Sequence, residues 1–411
     1  MSSRAIALVI SGCLLAACAG ATPQDAALAF SHTADPARPF RGPIRPDLPL
    51  ARGYNDAARA LAYADDNPLI RWAYRVWCET GYRSPEDAGA GQEVDELIDP
   101  AQDLVSPQGF FHSRFARTPM PSGGARFLDN AWYFGADGLG VIVVRTPDGL
   151  LMVDTMTTPE EFEQVVLSEM PAAGLNPADI RYVFLGHMHA DHTGGANVVQ
   201  RLAPEAKVVM GAPDAAIVDQ AREALRNGET PPPGATVRWR SRPTDAAEAA
   251  ALHQTRLRSV PNRIDMRIEP EPGQTTGSAR IRIGPSTEVV AVLNPGHTPG
   301  QMSVIIPVQH QGETRQLLVL SGNDNPDEAA QYARSMDYLR SVAAQVGADT
   351  LINTHGYQSA MFYHLRRLQA DPSASNPFAM GRSGVDRFLG VFAECQRATH
   401  QRLEDGTWLA F

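Results

Sequence analysis

The stretch that decides the fold is Tyr182-Val183-Phe184-Leu185-Gly186-His187-Met188-His189-Ala190-Asp191-His192-Thr193-Gly194-Gly195. It opens with a short apolar run that predicts a buried strand ending at a glycine. His187 and His189 are two positions apart, so their side chains point the same way in an extended segment. Asp191 and His192 follow where the chain has to turn. Zinc prefers imidazole and carboxylate ligands when one position stays open for water, so the stretch predicts a zinc site rather than a loop of solvated histidines.

Three further motifs show the same pattern, in which a strand-forming run is followed by a polar residue. Asp154 closes the strand-like run Leu150–Val153, and histidines occur within Gly296–Gly300 and Leu351–Gly356. Together with the first stretch, these motifs resemble the metallo-β-lactamase superfamily over roughly residues 123–368. The resemblance implies an α/β fold, an αββα four-layer sandwich with helical N- and C-terminal additions.

The resemblance also implies two zinc ions, with ligands divided as in superfamily members that lack a cysteine ligand. The first ion would be bound by His187, His189 and His297, and the second by Asp191, His192 and His355. Asp191 is also the candidate catalytic carboxylate, and Asp154 would orient ligands through hydrogen bonds from behind them. Three imidazoles leave a tetrahedral position for water, whose pKa falls on the metal, and the hydroxide would attack a carbonyl or phosphoryl centre. The other histidines predicted as surface or packing residues are His32, His253, His310, His364 and His400.

One position separates the subclasses of the superfamily. Many of its thioesterases, lactonases and phosphodiesterases carry an aspartate that bridges both metals after the strand corresponding to Arg315–Leu320. Here that run is followed by Ser321-Gly322-Asn323-Asp324-Asn325. Asn323 at the bridging place resembles the β-lactamase subclass with an all-histidine first zinc, whereas Asp324 there favours a lactonase or phosphodiesterase. Asn323, Asp324 and Asn325 are therefore candidate substrate contacts.

The N-terminus predicts export. Arg4 precedes an apolar run, Ala5–Ala17, which is too short to span a bilayer but suits a signal peptide over residues 1–17. Leu15-Ala16-Ala17-Cys18 resembles a bacterial lipobox, which implies lipidation of Cys18 and a periplasmic protein anchored to the envelope membrane. Ala17-Cys18-Ala19 also fits an ordinary cleavage site, which leaves a freely soluble exported enzyme as the alternative.

Charge and cysteine content restrict the partners and the compartment. The net charge of −10 and the absence of a basic block in the sequence argue against nucleic acid, which leaves a small-molecule substrate. Export would place Cys78 and Cys395 in an oxidising compartment. The sequence leaves open whether these two form a disulfide or remain buried free thiols.

After the signal peptide, the predicted organisation has three parts. Residues 18–122 form a tether and a helical extension, 123–370 the metallo-β-lactamase-like domain, and 371–411 a C-terminal helical segment. An insertion at 211–278 is either a lid over the metal site or a distant surface decoration. Within the domain, Phe127–Phe134 is expected to be one strand and Pro159–Met170 to be helical.

These observations predict an exported zinc-dependent hydrolase that uses a metal-activated hydroxide on an amide or ester carbonyl, in the manner of β-lactamases. The alternative on the same dizinc site is a lactone, thioester or phosphodiester hydrolase. A non-catalytic envelope binding protein is the alternative of another class, but such a protein would be expected to have lost ligands, and all six are present.

Overall fold

The computed structural model describes residues 47–80, 123–136, 139–236, 245–322, 325–359 and 361–407. They form two sheets with helices on the outer faces. No helix among these residues is both long and apolar enough to cross a membrane.

The first sheet has seven strands in sequential order. Its strands are β1 Ala125–Leu128, β2 Ala131–Ala136, β3 Leu139–Thr146, β4 Gly149–Val153, β5 Ile180–Phe184, β6 Lys207–Gly211 and β7 Met266–Ile268. The first four are antiparallel neighbours, and β4 to β7 run parallel.

The second sheet has five strands in the order β12-β11-β10-β9-β8. Its strands are β8 Gly277–Arg282, β9 Glu288–Leu293, β10 Met302–His310, β11 Glu313–Leu320 and β12 Thr350–Asn353. All neighbours are antiparallel except β11 and β12, which are parallel.

Ten α-helices lie in the described residues. They are α1 Pro49–Ala62, α2 Pro68–Tyr74, α3 Pro159–Phe162, α4 Ala190–Thr193, α5 Ala196–Leu202, α6 Ala212–Arg226, α7 Ala246–Ser259, α8 Ala329–Val346, α9 Met361–Ala370 and α10 Gly381–Glu404.

Two apolar clusters hold the layers together. In the smaller one, the outer face of the first sheet packs against residues of α3, α5 and α6. The larger one joins the inner faces of both sheets with α1, α2, α8 and α10. The order is therefore helices, sheet, sheet, helices, which is the predicted four-layer αββα sandwich. The N-terminal and C-terminal helices share the core of the central domain, so they complete its fourth layer.

The expectation of one strand over Phe127–Phe134 is wrong. The chain turns at Asp129-Asn130 and forms the hairpin of β1 and β2. Asn130 stabilises this turn, because its side chain donates to the Arg145 carbonyl at 2.6 Å and accepts from the Gln309 amide at 2.7 Å. Asp and Asn favour turns because their side chains bond to nearby backbone groups.

The segment Pro159–Met170 is helical as expected, but it is not one regular α-helix. The α-helix ends at Phe162, a π-helical turn covers Glu163–Leu167, and a 3-10 turn covers Met170–Ala173. Pro171 has no amide hydrogen to continue a helix, and Gly174 ends the segment in the left-handed region, at φ 69°.

The insertion predicted at 211–278 is shorter in the structure. Gly211 ends β6, Met266–Ile268 joins the first sheet beside it, and Gly277 and Ser278 begin β8 of the second sheet. Within 211–278, the helices α6 and α7 lie in the connection between β6 and β7, outside the sheets. Backbone pairing of β7 with β6 returns the chain to the sandwich.

Candidate metal centre

The predicted metal-binding residues follow strands that end at one edge of the sandwich. Parallel strands β4 and β5 place Asp154 and the loop of His187 side by side, and the Asp154 amide donates to the Phe184 carbonyl at 2.9 Å. The two sheets meet at this edge, where the Met302 amide donates to the Gly186 carbonyl at 2.7 Å. Residues from both sheets therefore reach one site.

Three imidazoles form the first group of donor atoms. Nε2 of His187 lies 3.1 Å from Nδ1 of His189, and Nε2 of His297 lies 3.0 Å from the same Nδ1. Two nitrogens bound to one zinc ion at 2.0–2.1 Å and the tetrahedral angle lie roughly 3.3 Å apart. The spacing and the chemistry of these three atoms therefore fit one zinc ion.

The second group contains the remaining predicted ligands. Nε2 of His192 lies 3.0 Å from Nε2 of His355. Oδ2 of Asp191 lies 3.5 Å from His192 Nε2 and 3.8 Å from His355 Nε2. Donor atoms of His187, Asp191 and His192 also lie within 4.8 Å of one another, so the two groups are adjacent. All six side chains thus converge on one place.

Asp154 lies directly behind the second group. Its Oδ2 is 2.6 Å from Nδ1 of His192, and its Oδ1 accepts from the Gly186 amide at 2.8 Å. The hydrogen bond favours the His192 tautomer with the proton on Nδ1, which leaves the Nε2 lone pair for a metal. Asp154 has φ 66°, a left-handed conformation that costs a non-glycine residue energy and persists at sites where the surroundings require it.

Two of the imidazoles, those of His187 and His297, are buried where the neutral form is favoured. Burial, and after it the neighbouring imidazoles, lower the pKa of His187 and of His297 well below the usual value. A neutral imidazole keeps the lone pair that a metal needs, so no proton has to be displaced from these rings at neutral pH.

A network of buried amides fixes the loop after β11. Gln301 donates to the Ser321 carbonyl at 2.6 Å and accepts from the His297 amide at 2.9 Å. Gln358 donates to the Gly322 carbonyl at 2.7 Å. Ser321 Oγ in turn lies 3.3 Å from Nδ1 of His187. The sequence interpretation missed Gln301 and Gln358, because a glutamine in a loop carries no signal of burial.

Gly186 is required at the point where this loop approaches the metal-bearing loop. A Cβ at Gly186 would lie 1.9 Å from Ser321 Oγ, so no side chain fits there. The glycine that ends the apolar run of the deciding stretch therefore permits Ser321 to reach His187.

A second buried aspartate, Asp214, lies in the first turn of α6 and was also missed. It is 0% exposed. Burial raises its pKa to about 6, although hydrogen bonds from Thr298, Met188 and Gly300 favour the charged form. In the sequence, an acidic residue after Ala212-Pro213 indicates only the start of a helix.

Part of the connection between β6 and β7 lies against the metal site. The Gly234 carbonyl accepts from the Ala190 amide at 3.2 Å, and a Cβ at Gly234 would lie 2.8 Å from Cδ2 of His189. Pro231–Thr236 is called the wall segment below. At this point, the connection borders the site rather than decorating a distant surface.

The remaining predicted residues have different positions. Asn323, Asp324 and Cys18 lie outside the described residues. Asn325 is half-buried and precedes the 3-10 turn Pro326–Glu328. Cys78 and Cys395 form a disulfide on the far helical layer.

Comparison with known proteins shows a similarity between the central part of the chain and a family model. Residues 141–310 match the model of the metallo-β-lactamase superfamily. The match includes five of the proposed ligands and ends before His355.

Solved structures of similar fold include metallo-β-lactamases. One from Cronobacter sakazakii is 18% identical, with a TM-score of 0.49, over 70% of this chain and 96% of that one. BJP-1, a subclass B3 metallo-β-lactamase of Bradyrhizobium japonicum, is 19% identical, with a TM-score of 0.47, over 70% of this chain and 96% of that one.

The two-sheet topology agrees with the family match. Both sheets contribute to the histidine-rich site at their shared edge. The match of residues 141–310 to the metallo-β-lactamase superfamily model, the fold and the site together support a metal-dependent hydrolase.

Proposed function

We propose that this protein is an exported zinc-dependent hydrolase that cleaves an amide or ester carbonyl of a small molecule, in the manner of β-lactamases. The observation that carries the proposal is the convergence of the six donor atoms in two adjacent groups of three. The superfamily domain over residues 141–310 supports hydrolysis as the reaction class.

The proposed ligands would fall into two groups, one for each metal ion. His187, His189 and His297 would hold the first ion. Asp191, His192 and His355 would hold the second, with Asp154 keeping His192 in the metal-binding tautomer. When bound, the ions would supply a nucleophile from water at neutral pH and stabilise negative charge on the reacting centre.

A small-molecule substrate fits the surroundings of the site. The wall segment lies against His189. It therefore limits the space from which a substrate can reach the first group of imidazoles. A net charge of −10 argues against a nucleic acid partner. Asn323, Asp324 and Asn325 remain the proposed substrate contacts; in the sequence they follow Ser321 and Gly322, whose carbonyls accept from Gln301 and Gln358.

Export to the periplasm is supported by the disulfide between Cys78 and Cys395, because disulfides persist in oxidising compartments. We propose that Cys18 carries a lipid that anchors the protein to the envelope membrane. Cys18→Ala is expected to move the protein from the membrane fraction to the soluble periplasmic fraction. Unchanged fractionation would reject the lipid anchor and leave export to be judged separately.

The function is tested by a substrate panel on purified protein with measured metal content. A β-lactam, a lactone, a thioester and a phosphodiester are each assayed with and without a chelator. We expect two zinc ions per chain and chelator-sensitive turnover of the β-lactam. Turnover of the phosphodiester alone would overturn the preference for a carbonyl, and chelator-insensitive turnover would reject metal catalysis.

Matched histidine substitutions assign the activity to this site. His297→Asn and His355→Asn are each expected to lose one ion per chain and most of the turnover. His400→Asn is the control, because it makes the same chemical change at an exposed position near the end of α10. Full metal content in His355→Asn would contradict the proposed ligand set.

A further inference from the structure

Asp214 is a fully buried carboxylate that none of the proposed ligand or substrate roles uses. We propose that Asp214 is the positioning residue of the first metal site, which ties together the two loops that carry its three imidazoles. This inference rests on the proposed zinc site and adds a residue that sets the affinity of one ion and not of the other.

The hydrogen bonds of Asp214 connect both loops through one side chain. Oδ2 accepts from the Met188 amide at 2.8 Å and from the Thr298 hydroxyl at 2.6 Å. Oδ1 accepts from the Gly300 amide at 2.6 Å. Met188 lies between His187 and His189, and Thr298 directly follows His297. A single carboxylate therefore sets the distance between the loops that carry all three imidazoles.

The loop of His297 needs such a connection. Nδ1 of His297 is buried without a hydrogen-bond partner among the described residues, so no side-chain bond orients the ring from behind. The position of the ring then depends on the backbone, which Gln301 holds at the His297 amide and Asp214 holds at Thr298 and Gly300.

Close backbone packing brings the loops to Asp214. A Cβ at Gly300 would lie 2.4 Å from the Asp214 amide nitrogen, and a Cβ at Gly211 would lie 2.1 Å from the Gly300 carbonyl oxygen. The His297 loop therefore lies directly on the start of α6. At this distance the short side chain of aspartate reaches both loops.

Only an acceptor fits among these three partners, because the two amides can only donate and the hydroxyl donates to Oδ2. An asparagine would place its NH₂ group either against the Gly300 amide or against the Met188 amide. Either orientation leaves donor facing donor in a buried place, where an unsatisfied polar group is costly. Asp214→Asn therefore removes the connection with almost no change in volume.

Two buried aspartates would then act on the metal groups in different ways. Asp154 contacts the ring of His192, a proposed ligand of the second ion, and the Gly186 amide, whereas Asp214 contacts only backbone and hydroxyl groups of the loops of the first ion. Substitution of Asp214 is therefore expected to lower the affinity for the first ion, and substitution of Asp154 the affinity for the second.

The experiment measures metal binding by full-length Asp214→Asn, by competition with a chelator of known zinc affinity. Replacing a residue that positions metal ligands lowers affinity roughly 10–100-fold. We expect a loss of this size for one ion per chain, with the other ion retained. Spectra of the Co²⁺-substituted protein, compared with His297→Asn and His355→Asn as references, identify the weakened site as the all-histidine one.

The control is Asp265→Asn, which removes a carboxylate that accepts from the Val208 amide at 2.9 Å, near the start rather than the end of β6. It is expected to leave both affinities unchanged. Thr298→Val removes only one of the three hydrogen bonds, and we expect a smaller but equally selective loss. This milder variant decides the question if Asp214→Asn fails to fold.

The outcomes separate this inference from the proposed function. Wild-type protein that binds no zinc would reject the proposed function itself. If wild type binds two ions and Asp214→Asn binds both with the same affinities as wild type, the positioning role alone would be overturned. Equal weakening of both ions, with a less stable metal-free protein, would show that Asp214 acts only on general stability.

Discussion

His364 shows how a histidine outside the metal site differs from those within it. It lies on α9, it is 1% exposed, and burial followed by the charge of Arg367 lowers its pKa to about 4. In the sequence it was interpreted as a surface or packing residue, and its burial favours packing. At a pH at which the same imidazole is already protonated in the unfolded chain, it stays neutral in the folded protein.

The pH dependence of stability should carry a contribution from His364. As pH falls from 6.5 towards 4, the unfolded chain binds a proton at this position and the folded protein does not, so stability is lost in that window. The difference in pKa corresponds to roughly 3 kcal/mol at the acid end. Urea unfolding of metal-free wild type and His364→Gln between pH 7.5 and 4.5 measures it. The variant should lose less stability than wild type on acidification, and parallel curves would contradict the assignment.

At the scale of elements, the connection between β6 and β7 contacts both the metal-bearing loop and helix α5, which follows that loop. The wall segment contacts His189 and Ala190, while α7 is fastened to α5 by Asn197, whose side chain donates to the Val260 carbonyl at 2.6 Å. The predicted lid is therefore, in its described part, a wall that packs against the site.

Gly234 should be sensitive to the smallest side chain. Gly234→Ala has to accommodate both φ 84° and a Cβ at 2.8 Å from the His189 ring, so either the ring or the wall segment moves. We expect roughly tenfold weaker binding of one metal ion, a loss comparable to that of other residues that orient ligands.

Gly228→Ala is the matched control, because Gly228 has φ 73° in the same connection and open space around its Cβ. Both variants carry the backbone cost of about 1 kcal/mol, and only Gly234→Ala carries the contact with His189. Chelator competition measures the affinity. Equal effects in the two variants would show that the wall segment does not support the site.

At the scale of the whole molecule, the two ends of the described chain are fastened together on the helical layer behind the second sheet. The disulfide between Cys78 and Cys395 closes a loop with a sequence separation of 317. Beside it, Arg402 forms a buried ion pair with Asp47, at 2.7 and 2.8 Å, and donates to the Cys78 carbonyl at 3.0 Å. These contacts attach α1 and α2 to α10.

Removal of the disulfide should lower stability without affecting the metal site. The Cys78→Ser/Cys395→Ser double variant is expected to lose about 2–5 kcal/mol of unfolding free energy, because the unfolded chain gains freedom. Denaturant unfolding measures the loss, and metal content should remain unchanged. Wild type unfolded with a reductant should match the variant. Equal stability of the oxidised wild type and the variant would contradict a stabilising disulfide.

Short sequence motifs predicted the fold class, and their resemblance to the metallo-β-lactamase superfamily predicted the six candidate ligands. The reason is local: each motif comes shortly after a strand, and these strands end at one edge of the sandwich. The error at Phe127–Phe134 arose because a turn inside an apolar run depends on partners elsewhere, such as the Gln309 amide for Asn130.

Only the tertiary structure decided which residues stand behind the site. Asp214, Gln301 and Gly234 are distant in sequence from the ligands they support, and their residue types also occur at ordinary helix starts and turns. Their roles arise from burial and from close approach between separate loops, which local spacing does not encode. The chemistry of the site could therefore be predicted from short motifs. Its rigidity depends on long-range hydrogen bonds that exist only in the folded chain.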